Sequence, residues 1–260
     1  MHPVLVRYLD PGTTVELLKR SESGESLGEE HRFLVEAARS HAPEKKAALA
    51  SAGRHPTSEA QQAVLFLAVH AALRALREDA TVKPRMDEAE HQLRALGAEQ
   101  EDVDSMFAQL VADEAFGGEE DVDAFDHELF LEGLAELPKL AALGEQDVSA
   151  LLSRFGASGA SGEHLLRESA ARMLLELAWA DGVSPINVET VEEALEAVYQ
   201  DLGEERLDEA AKVLIEFVAL LQKEGLAGPL RGERLKRALV LAATGGGEEE
   251  EEEGDEEERV

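Results

Sequence analysis

Leu207-Asp208-Glu209-Ala210-Ala211-Lys212-Val213-Leu214-Ile215-Glu216-Phe217-Val218-Ala219-Leu220-Leu221 decides the fold. Leu207, Leu214 and Leu221 lie seven apart, with Ala210, Ala211, Phe217 and Val218 between them. That spacing stacks them along one face of a helix. One such face cannot stay wet, and pairing it with neighbouring helices closes an antiparallel bundle. A coiled-coil homodimer is the alternative, resting on only three heptad positions.

Outward from this seam, the C-terminal part reads as four helices, over 163–180, 187–202, 204–224 and 229–243. The stretch Phe155-Gly156-Ala157-Ser158-Gly159-Ala160-Ser161-Gly162 reads as a flexible Gly/Ser joint over 156–162. It divides an N-terminal helical domain, 1–155, from the C-terminal bundle, 163–243. The N-terminal part shows its own helix signals. Ser26 and Glu29 have the spacing of a capping box, as do Ser58 and Gln61. Ala42-Pro43 breaks the chain before a short helix over 44–52. The segment from Val64 to Leu76 is apolar over too wide a face for a surface helix, which places it centrally. Pro84 opens the next helix, with Met86, Ala89, Leu93 and Leu96 on one face and Gly97 as its stop. Only Val4 to Tyr8 has any strand character. Leu, Ala and Glu dominate and aromatic residues make up 4%, so the expected class is all-α.

Three acidic helix starts recur, at Glu101-Asp102-Val103-Asp104, Glu120-Asp121-Val122-Asp123 and Gln146-Asp147-Val148-Ser149. Acids there satisfy free N–H groups and the helix dipole. Asp121, Asp123, Asp126 and Glu128 cluster tightly. Counted from Asp121, Glu132 takes the twelfth place of a calcium loop. Phe125 and Asp126, however, stand where a ligand and the turn glycine are needed.

The charge balance bounds the function. The chain has 260 residues, 56 acids, 25 lysines and arginines, and no cysteine, for a net charge of −31. Thiol chemistry and cysteine-held metals are thereby absent. Direct binding to nucleic-acid phosphates or an anionic membrane is disfavoured by like charge. The tail over 244–260 holds ten acids against Arg259, with no apolar residue before Val260, and such a segment is expected to be disordered. No stretch reads as a signal peptide or membrane span, so the expected location is cytoplasmic.

Motifs for chemistry are sparse. No phosphate-cradling loop, nucleophile elbow or H-E-x-x-H occurs. His164 and Glu168 lie one helical turn apart, and Glu88-Ala89-Glu90-His91 is a single copy of a di-iron motif that needs two. His70, on the most apolar helix, reads as a core or interface residue. Neither a cofactor nor a metal is implied. Leu177-Ala178-Trp179-Ala180-Asp181-Gly182-Val183-Ser184 resembles the Ala-Asp-Gly turn between helices of tellurite-resistance-type helical domains, over about a fifth of the chain with its flanks. Pro185, Ile186 and Asn187 replace the acids expected after that turn. A helix ended by Asp-Gly, with Asn187 capping the next, accounts for the same residues.

The expectation is a non-enzymatic acidic helical regulator or adaptor that binds a protein with a basic surface, as a scaffold, an inhibitor of the immunity type or a mimic of nucleic-acid charge. The alternatives are an enzyme with an unrecognised helical site and a calcium or other divalent-cation binder. The interaction residues expected are Trp179, as core or anchor, the acidic Asp121, Asp123 and Asp126, and the basic Arg231, Arg234 and Arg237. Those arginines crowd the last helix, where an acidic partner or the chain's own tail could dock.

Overall fold

The computed structural model describes residues 2–50, 58–116, 125–159, 163–180, 182, 184–202 and 207–244. Among them are thirteen α-helices, one 3-10 turn and no strand. Two hydrophobic cores form, one from the first eight helices and one from the last five.

The first core is built by α1 (Pro3–Tyr8), α2 (Pro11–Glu22), α3 (Arg32–Ser40), α4 (Ala42–Ala50), α5 (Ser58–Glu78), α6 (Lys83–Ala95), α7 (Gln100–Phe116) and α8 (His127–Ala141). Helix α5 is its axis. Ala63, Val64, Leu67, Ala68, Ala71, Ala72 and Leu76 are buried, and α1, α3, α4 and α7 pack around them. The central position inferred from its wide apolar face is the one it takes. The stop at Gly97 is also present: its φ of +100° is left-handed, which costs glycine nothing. Leu96 beside it is exposed rather than part of the buried face of α6.

Two local expectations are corrected. Val4 to Tyr8 is not a strand but α1, capped by the His2 ring and started by Pro3. The Ser26–Glu29 box does not open a helix. A 3-10 turn over Glu29–His31 intervenes, and α3 begins at Arg32. Tyr8 contributes to holding that turn, donating its hydroxyl to the Glu30 carbonyl at 2.9 Å.

The second core is a bundle of α9 (Glu145–Ala157), α10 (His164–Ala178), α11 (Val188–Leu202), α12 (Leu207–Glu224) and α13 (Pro229–Ala243). The seam of α12 is buried through Ala210, Ala211, Leu214, Phe217, Val218 and Leu221, with Leu207 half-buried at its end.

Residues packed on the first core run to Ala141, and those packed on the second begin at Val148 in α9. Leu151, Leu152 and Phe155 pack with α10 and α12. Gly156 and Ala157 continue α9 as helix. Arg167 of α10 then reaches back. Its guanidinium lies 4.2 Å from the Phe155 ring centroid, and it donates to the Phe155 carbonyl at 3.2 Å and to Ser158 Oγ at 3.0 Å. The described glycines are thus in a braced corner within one core. Residues 160–162, like the tail from 245 onward, lie outside the described residues.

Candidate functional site

The two cores meet where α13 crosses α7 and α8, and the contact is ionic. Arg231, one of the basic residues expected on a docking face, is instead buried, 4% exposed. Its Nη2 donates to Glu114 Oε1 at 2.7 Å and to the Leu129 carbonyl at 3.2 Å. Its Nε lies 3.0 Å from Glu136 Oε2. That last contact is off line for a hydrogen bond, because neither atom has a hydrogen-bond partner, so it acts through charge alone. Arg234 adds a second cation, 3.3 Å from Glu114 Oε2.

The same junction caps α13. Glu136 Oε1 accepts from the Gly228 N–H, while Glu132 accepts from Leu230 at 3.1 Å and Arg231 at 3.0 Å. Carboxylates from α8 therefore take up free N–H groups at the start of α13, where the dipole favours negative charge. Glu132, the twelfth residue of the nominal calcium loop, is spent here.

Gly133 explains why a glycine stands inside α8. A Cβ there would lie 2.4 Å from Leu110 Cδ1 and 2.9 Å from Arg231 Nη2. The guanidinium can approach only because that side chain is absent.

Burial opposes the Arg231 charge, but Glu136 and Glu114 outweigh it and hold the guanidinium above its ordinary value. Burial also pushes the Glu136 carboxyl up, against the pull of Arg231 and the Gly228 N–H. Both are raised, which favours the charged form of Arg231 and the neutral form of Glu136, because Arg231 is surrounded by carboxylates while Glu136 meets one arginine. Glu136 is the member whose charge burial opposes.

Asp113, on α7, forms the second link between cores. Its Oδ1 accepts from Gln109 at 2.8 Å and from Asn187 Nδ2 at 3.3 Å. Its Oδ2 is buried with no partner. Burial raises this carboxyl to about 6, against the hydrogen bonds from Gln109 and Asn187. Asn187 does double duty, since its Oδ1 also caps α11 by accepting from the Thr190 N–H at 2.8 Å. Beside this link opens a cleft of about 560 Å³ between α6 and α7 on one side and the α10–α11 turn on the other. Leu93, Leu96, Met106 and Leu177 give it apolar walls, and Asp102, Gln109 and Asn187 line it.

The other expected interaction residues have local roles. Trp179 ends α10 half-buried against the second core, its indole donating to the Ser184 carbonyl at 3.1 Å. Asp126 is exposed and caps α8, accepting from Glu128 and Leu129 at 2.9 and 3.1 Å. Asp121 and Asp123 lie outside the described residues. Arg237 is exposed on α13. His70 is buried in a ring stack, with centroids 4.1 Å from His41 and 4.2 Å from Phe66, and desolvation lowers it to about 4.

Among the described residues, no group of three or more His, Asp or Glu could hold a metal ion. No described helix is long and apolar enough to cross a membrane.

No family model, no curated protein and no solved structure matches this chain.

Proposed function

We propose that this protein is a non-enzymatic helical adaptor or regulator that binds a basic protein surface. The observation that carries the reading is where the cations go. Arg20, Arg32, Lys45, Arg77, Lys83, Arg154, Arg167, Arg172, Arg231 and Lys236 each lie within ion-pair distance of a carboxylate of the same chain. Acids outnumber lysines and arginines by more than two to one. Internal pairing therefore engages much of the positive charge and leaves the acid excess facing solvent.

A negative field of this kind speeds encounter with a positive partner and repels nucleic acid. Affinity then has to come from apolar contacts at the docking place. The location within a cell and the choice among scaffold, inhibitor and charge mimic follow from the partner. Titrating a fluorescent basic amphipathic peptide into the full chain tests the reading. Binding that weakens with salt is expected. Equal binding of an acidic peptide of the same apolar content would refute it.

A further inference from the structure

The groove between α11, α12 and the end of α13 joins an apolar floor to an acidic rim. Leu195, Tyr199, Leu207 and Ala242 make an apolar floor, and Glu192 and Glu196 make its rim, around an open volume of about 410 Å³. That is near the low end of ligand-sized pockets, roughly 300–1,000 Å³: room for a few side chains and not for a folded surface. Glu192, Glu196 and Tyr199 follow one another at helical spacing along α11. Glu196 accepts from Gln200 at 3.2 Å, and Glu189 sets its charge against that of Glu192. Burial and Glu189 both raise the Glu192 carboxyl, so a cation placed at this rim would be welcome.

We propose that this groove is the docking place for an amphipathic helix of the partner, with its apolar side chains on the floor and lysine or arginine against Glu192 and Glu196. This rests on the reading that the partner is basic. Charge selects the occupant. A second copy of this chain, docking isologously, would set Glu192 and Glu196 against themselves. The chain beyond Thr244 starts three residues after Ala242 and carries ten acids, so it too is repelled from the rim. A basic helix is attracted by both, and helix-in-groove binding uses an apolar face at this spacing.

The test uses the full chain and a synthetic peptide that forms a helix with leucines on one face and lysines and arginines flanking it. Binding is read by fluorescence anisotropy. Glu192→Lys with Glu196→Lys should weaken binding by about tenfold or more. Ala242→Phe, which fills the floor without changing charge, should weaken it by a similar factor. Glu88→Lys with Glu101→Lys makes the same charge change on the first core and should cost no more than about twofold. All these sites are at least partly exposed, and unchanged circular dichroism confirms folding. Deletion of 245–260 should weaken binding.

If both groove variants bind as the parent does, the groove is not the site, while the basic-partner reading survives. If the parent does not bind at low salt, that reading fails and the groove with it. If deletion of the tail is needed before the peptide binds, the tail is the occupant. Concentration-dependent dimerisation abolished by Ala242→Phe would make a second copy the occupant.

Discussion

Arg231 and Glu114, 117 residues apart in the chain, meet at 2.7 Å with both side chains almost wholly buried. They join the last helix of the second core to the seventh helix, in the first. Burying charge costs several kcal/mol per ion, and the pair recovers this only while both members are present.

Arg231→Met leaves Glu136 buried without its cation and Glu114 paired with Arg234 alone. It should lower unfolding free energy by about 3–5 kcal/mol, read by urea denaturation. Adding Glu114→Gln and Glu136→Gln to that variant should restore most of the loss. An unchanged midpoint in Arg231→Met would mean that the junction opens to water.

Gly133→Ala adds a Cβ that collides with Leu110 and Arg231. Alanine is the better helix former by about 1 kcal/mol, so a surface site would gain. Here a net loss of roughly 1–2 kcal/mol is expected from overpacking. A rise in melting temperature would contradict the close approach.

Asp113 carries a pH signature. Its folded value, about 6, lies above that of an unfolded aspartate, so the folded state holds the proton more tightly. Its contribution is fully present below about pH 4 and lost as pH rises through 6. Asp113→Asn should therefore stabilise the protein at pH 8 by up to about 3 kcal/mol and give no gain near pH 4. A gain that is the same at both pH values would refute the assignment.

His70 acts in the opposite sense. Held at about 4 in the fold, it favours the folded state above its unfolded value near 6.5, and that stability is lost as pH falls from there toward 4. His70→Phe, which keeps the ring between His41 and Phe66, should flatten the loss of stability between pH 6.5 and 4.5. An unaltered slope would show that another group governs acid unfolding.

Much of the helical plan is legible in the chain. The four helices expected after residue 163 match α10 to α13 within a few residues, because their caps and apolar faces are local. Asn187 was readable as a cap, yet its bond to Asp113 was not, since that contact depends on how two cores dock. The junction left a fainter trace. Arg231 lies four residues before Leu235 and eight before Leu239, on the buried stripe of α13, and Glu114 continues the stripe of Phe107, Leu110 and Val111 on α7. A charge on an apolar stripe signals a buried pair. Arg231 was grouped by charge with Arg234 and Arg237, and that hid its position. At the Gly/Ser stretch composition suggests a joint, and the contacts between Arg167 and Phe155 beside it depend on how α9 and α10 pack, which no local pattern records. Helix α2 went unread although Asp10-Pro11 opens it with a cap and a proline.

Salt dependence of the association rate probes the central claim, that acid excess draws a basic partner. It is measured by stopped-flow fluorescence between the full chain and the basic amphipathic peptide, from about 50 to 500 mM salt, over which the Debye length shrinks from above 10 Å to below 8 Å. The account predicts a rate that falls steeply, by about tenfold or more, with a dissociation rate that changes far less. An association rate flat across that range would contradict it.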